Sequence, residues 1–147
     1  MNTKLNINSI VDGSITKAKL ANDAKTVVQY IQANTPTANI GQIPFGMKIK
    51  IESNGSAAAG LNALTISGFA DNTTYNNSVS DEVLIEFDCN NDKFSLTVPE
   101  SVGWANDTTP EFHQGWHYQI SITRWFENNS SRVKYQAICV GFPSINI

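Results

Sequence analysis

The chain has 147 residues, with ten Lys and Arg against thirteen Asp and Glu and a net charge of −3, which bounds it to one core of ordinary size plus an appendage. Its charges are spread without runs, which excludes a nucleic-acid surface, since that needs a basic patch or stripe. Residues 1–9 lack the apolar core of a secretory signal and no window approaches the ~18 apolar residues of a spanning helix, so the sequence reads as soluble and not inserted in a membrane.

In chain order, Asp12-Gly13 marks a turn. Ser14 or Thr16 can then cap a helix, and good helix formers carry it to about Ala33, where Asn34-Thr35-Pro36 stops it. Leu20, Ala24, Val27 and Ile31 fall at spacings of four, three and four, one stripe of that helix, and form the seam a short coiled coil buries against copies of itself. These four residues are the expected oligomerisation set. Residues 36–46 show no period and read as a linker.

From Met47 the period becomes two. Met47, Ile49 and Ile51 share one face and Lys48, Lys50 and Glu52 the other, a half-buried strand ending at Asn54-Gly55. Leu64 and Ile66 belong to a second strand after the small-residue loop at Ser56 to Gly60. Val83, Ile85 and Phe87 face inward, and Asn90-Asn91-Asp92 is expected to turn that strand into Phe94, Leu96 and Val98 as a hairpin. Trp116, Tyr118, Ile120 and Ile122 alternate in the longest run, with Val133, Tyr135, Ala137 and Cys139 following a polar turn as a second hairpin. Strands with polar turns and no helix between them predict a mainly β fold, an antiparallel β-sandwich or jelly-roll-like knob. The division is therefore 1–35 as a helical anchor and oligomerisation segment, 36–46 as a linker, and 47–147 as a β-domain.

Signals for chemistry are sparse. Glu111, His113 and His117 are imperfectly placed to converge on a metal, and Gly115 interrupts their strand geometry. No Ser-His-Asp order and no glycine-rich phosphate loop stand out, so the sequence predicts neither an enzyme nor a cofactor. Cys89 and Cys139 fall in apolar runs and read as small buried hydrophobes, with a mutual disulfide as the alternative. The asparagine tracts, sequons among them, read as turn chemistry. Trp104, Trp116, Trp125, Tyr75 and Tyr118 could stack on sugars, but most are expected to fill the core. Trp125, on the Gln119, Ser121 and Thr123 face, looks outward beside Arg124, and this pair is the candidate surface or ligand contact.

Two stretches carry a resemblance. Ser9 to Ala21 reads SIVDGSITKAKLA, which resembles the DGSITxAKLA element of fibre proteins of tailed bacteriophages. Thr97 to Ile122 resembles the C-terminal β-domain pattern of phage and prophage fibre-like proteins, with Pro99, Trp104, Pro110, Phe112, Gly115 and Tyr118 in order and spacing. It departs from that pattern in holding one copy of the first element and in carrying Trp116 and His117 where polar residues are usual. The resemblance implies a homotrimeric head or tail fibre of the virion whose N-terminus docks on capsid or tail proteins through Asn6, Asn8, Asp12 and Ser14. Its β-knob would face outward toward a host cell-surface glycan. A free-standing carbohydrate-binding β-sandwich is the alternative from another class.

Overall fold

The computed structural model describes residues 27–70, 80–127, 129 and 131–143. Nine strands fill most of this range: β1 (Val27–Ala33), β2 (Thr37–Ile43), β3 (Met47–Ser53), β4 (Ala63–Phe69), β5 (Ser80–Asp88), β6 (Ser95–Thr97), β7 (Val102–Trp104), β8 (Trp116–Glu127) and β9 (Arg132–Pro143). They form a main sheet in the order β1-β3-β5-β8-β9-β7 and a second sheet in the order β2-β4-β6. The fold is mainly β, as the alternating runs predicted.

The pairing is mixed, which corrects the antiparallel expectation. From β1 to β6 the chain crosses between the sheets at every step, and each return lays a strand parallel to its predecessor: β1 with β3 and β3 with β5 in the main sheet, β2 with β4 and β4 with β6 in the second. Parallel neighbours ordinarily require a long crossover, most often a helix. Here a strand of the opposite sheet supplies it.

Backbone bonds tie successive passes together at the corners. Asn62 N–H donates to the Pro36 carbonyl at 2.7 Å and Ser95 N–H to the Asn62 carbonyl at 3.1 Å, while Gly46 N–H reaches Glu82 at 2.8 Å. The β5–β8 and β8–β9 pairs are antiparallel, and β7 adds to β9 in parallel. The β8–β9 hairpin is thus the one expected. The first expected hairpin is not formed: after β5 the turn carries the chain into the second sheet, and β5 takes β8 as its partner.

Parallel stacking puts like residues in rows. Ile49, Ile85 and Ile120 are in register across the main sheet, as are Met47, Val83 and Ile122, and Leu64 lies between Ala38 and Leu96 in the second. These residues join one hydrophobic cluster between the sheets, in which Ile43, Ile49, Leu61, Leu64, Val83, Ile85, Ile120 and Ile122 are fully buried. Aromatic groups close both ends. Phe87, Phe94, Phe112 and Tyr118 pack at one, with centroids 4.6 Å apart for Phe94 and Phe112, and Phe45, Phe69 and Tyr135 at the other, with Phe69 and Tyr135 stacked at 4.4 Å.

Two N-terminal expectations change. Residues 27–33 form edge strand β1, not the end of a helix, because Val-Val-Gln-Tyr-Ile is rich in β-formers and the exposed edge of β3 offers it a full parallel ladder. Val27 and Ile31 therefore belong to a sheet and not to a helical seam, and Ile31 packs on the core. Leu20 and Ala24 lie outside the described residues, as do Asn6, Asn8, Asp12, Ser14 and Tyr75. Residues 37–43, read as linker, are β2, whose inward positions Ala38, Ile40 and Ile43 break period two at the exposed Gly41-Gln42 pair.

Gly60 lies where the passes meet most tightly. It has φ +113, and a Cβ there would sit 2.7 Å from the Asp88 carbonyl oxygen, beside the parallel bridge of Leu61 to Cys89. Gly60→Ala is expected to cost about 2–4 kcal/mol through combined backbone strain and overlap, and Ile120→Ala about 2–5 kcal/mol through the cavity it leaves. Urea denaturation of the two variants, with an exposed Lys50→Ala as reference, checks both values.

Candidate functional site

Arg124 and Trp125 occupy opposite faces of β8. Arg124 is on the inward side and only 6% exposed, so its place as a surface contact is corrected. Its Nε donates to Asp81 Oδ1 at 2.7 Å, its Nη1 donates to the Ala70 carbonyl at 3.0 Å, and its guanidinium carbon lies 4.0 Å from the centre of the Phe45 ring. The guanidinium thus seals the Phe45 end of the core as an internal ion pair. Trp125 is half-buried on the outward face, in register with Ser80 and Lys134.

The outward face of the main sheet is one feature the described residues present. Strand register sets it out in rows across the sheet: Val28, Lys48, Leu84, Ser121 and Ile138 in one, and Tyr30, Lys50, Glu86, Gln119 and Val140 in the next. His117 and Phe142 continue it. Every exposed large hydrophobic among the described residues is in these rows, with Tyr30 at 58% and Ile138 at 56% exposure. They form two apolar strips, Val28 and Tyr30 on β1 and Ile138, Val140 and Phe142 on β9, separated by a polar belt.

That belt is organised around Glu86, which is 5% exposed although its strand position points outward. Lys48 Nζ lies 2.6 Å from its Oε1, and Gln119 Nε2 donates to the same oxygen at 2.6 Å. Burial alone would raise the Glu86 carboxyl. The hydrogen bond and charge of Lys48, the His117 ring and the Gln119 bond outweigh it and hold the group below its ordinary value of 4.5.

The candidate metal residues have separate partners. His117 Nδ1 meets Asp88 Oδ1 at 2.8 Å, the His113 ring lies against Trp116 at 4.6 Å, and Glu111 lines a cleft with Trp104. No cluster of three or more His, Cys, Asp or Glu side chains able to hold a metal occurs among the described residues. Both cysteines are free thiols. Cys89 is buried, and burial pushes its thiol up; burial pushes the Cys139 thiol up to about 12, so both stay protonated at neutral pH.

The apolar strips escaped the sequence reading. Their trace was there: from Ala137 the strand runs Ala-Ile-Cys-Val-Gly-Phe without polar residues at alternate positions. A strand with one wet face carries polar groups there. Comparison of the chain with protein-family models, with curated proteins and with solved structures gives no match.

Two outcomes follow from the charged groups. Asp81→Asn leaves Arg124 buried without its counter-charge and is expected to cost about 3 kcal/mol. Pairing it with Arg124→Met should cost clearly less than the sum of the single changes in a denaturant double-mutant cycle. Because the folded Glu86 carboxyl lies below its unfolded value, its contribution is complete above that unfolded value and is lost as pH falls through the folded one. Glu86→Gln should therefore flatten the acid-side decline of the denaturation midpoint that sets in below about pH 5.

Proposed function

We propose that the protein is a structural subunit of a tailed-bacteriophage virion, a short homotrimeric head or tail fibre, or decoration subunit. The observation that carries this reading is the pair of apolar strips on one sheet face, at opposite sides of a polar belt. Such an arrangement suits a cyclic assembly, where the β1 side of one copy meets the β9 side of the next and three contacts close the ring. A monomer gains nothing from exposing Tyr30, Ile138, Val140 and Phe142.

The DGSITxAKLA resemblance supplies the rest. That element ends shortly before β1, so an N-terminal segment bound to capsid or tail protein through Asn6, Asn8, Asp12 and Ser14 would lead straight into the proposed subunit interface. Leu20 and Ala24 retain their proposed place in a helical seam above it. The two sheets and their shared core would form the knob, a sandwich-like body directed outward to the host surface. Its site is the virion, assembled in the bacterial host. The alternative, a free-standing carbohydrate-binding β-sandwich, is favoured by one feature, an open cleft beside Trp104.

Light scattering and sedimentation decide the assembly. The wild-type chain is expected to be a trimer at micromolar concentration, and Val140→Asp, which places a charge in the β9 strip, to shift it to monomer while its circular dichroism is kept. A monomeric wild type would remove the fibre reading. A peptide of residues 1–20 should block addition of the protein to particles that lack it.

A further inference from the structure

The second feature the molecule presents is a pair of adjoining clefts at the β7 edge of the main sheet. Trp104 ends β7 and pairs with Ala137 of β9. The chain then makes a single 3-10 turn, Ala105–Asp107, in which Asn106 and Asp107 both take left-handed backbone angles, φ 57° and 53°. Two consecutive non-glycine residues in that region are strained, and strain of this kind persists where the surrounding structure holds it. The turn sets the Thr108–Glu111 segment opposite β9. Between them lies an open cavity of about 340 Å³ lined by Trp104, Asn106, Thr109, Glu111, Ile138 and Cys139, among others. A neighbouring cavity of about 280 Å³ shares Trp104, Thr109 and Pro110 with it.

The lining selects a ligand class. Trp104 walls both cavities and offers a large apolar surface, while the Asn106 amide, the Thr108 and Thr109 hydroxyls and the Glu111 carboxylate offer donors and acceptors around the first. Among the described residues no Lys, Arg or His lines the first cavity, so a phosphate, sulfate or carboxylate ligand would meet no counter-charge from them and would face Glu111. A purely apolar ligand would strand those polar groups without partners. A small ligand with one apolar face and a rim of hydroxyls satisfies both halves, and the volume falls in the range of about 300–1,000 Å³ for small-molecule sites. We infer that the Trp104 cleft binds a neutral saccharide, packing a sugar face on the indole and directing hydroxyls to Asn106, Thr109 and Glu111.

This deepens the proposed host-surface contact by naming its ligand class, but it rests on one chain and does not require the trimer. Ile138 belongs both to the cleft and to the β9 strip, so assembly and binding must be measured apart. The test is titration of the full chain with chitotriose, cellotriose and maltotriose up to about 10 mM, read by tryptophan fluorescence and calorimetry, together with a printed array of neutral oligosaccharides. Sialyllactose and inorganic phosphate are the acidic controls.

At least one neutral sugar should bind with Kd of about 1 mM or tighter. Trp104→Ala should abolish binding. Asn106→Gly, which keeps the left-handed turn, and Glu111→Gln, at an exposed position, should each weaken it about threefold to tenfold without disturbing the fold. Trp125→Ala should leave it unchanged, and so should Val140→Asp, even as a monomer. Absence of any neutral ligand on the array, preference for the acidic controls, or affinity undiminished in Asn106→Gly and Glu111→Gln would overturn the assignment. So would loss of binding in Val140→Asp, whereas a monomeric wild type that still binds sugar would overturn only the fibre reading.

Discussion

The structure depends on stacking each pass of the chain on the one before it. A strand in the main sheet can lie parallel to its predecessor only because the intervening strand has returned through the second sheet, and the inward side chains of both must then fill the same interior. Ile49, Ile85 and Ile120 meet this condition in one sheet, and Ala38, Leu64 and Leu96 in the other. The corners meet it by backbone hydrogen bonds from Asn62 and Ser95 to the preceding pass. A register slip in one strand would expose its whole row, so packing and pairing specify each other. Gly60 shows how little room is left at the corner beside Asp88.

The same stacking explains the division of the surface. The inward rows consume the aliphatic residues, leaving the outward face to whatever the intervening positions carry. Across β3, β5 and the middle of β8 these are polar apart from Leu84, and Lys48 and Gln119 are tied to Glu86. On β1 and β9, the flanks of that belt, they include Val28, Tyr30, Ile138, Val140 and Phe142. Glu86 is shielded because its neighbours lean over it, whereas Tyr30 and Ile138 have no such cover from the described residues.

How much of this was legible in the sequence follows from the kind of signal each element carries. β3 and β8 alternate because one face meets the interior and the other carries polar groups, and the inward sets of β5 and β9 recur at every second position, so all four are where the sequence placed them. β1 was obscured because Val27 and Ile31, four apart, satisfy a helical spacing and a strand spacing alike, and only the partner β3, beyond the turns, decides between them. β2 hid behind Gly41 and Gln42, which interrupt its alternation. Strand partnership was the least legible property: nothing in the run from Phe87 to Phe94 tells whether a turn folds a strand back on itself or passes it to another sheet. Arg124 was misjudged for a related reason, since its counter-charge Asp81 and its ring partner Phe45 are distant in sequence and adjacent only in space.

β1 is both the outermost strand and the first described element after the N-terminal segment, and it runs parallel to β3 along its full length, from Val27 beside Met47 to Ala33 beside Ser53. A tension applied to the N-terminus along the strand axis therefore loads that ladder in shear. The hydrogen bonds resist together, where a pull across the sheet would break them one by one. Tethered in this way, the body withstands a lengthwise pull better than its edge position alone suggests, and its resistance is set by the rate at which β1 slides free of β3, not by the stability of the whole core.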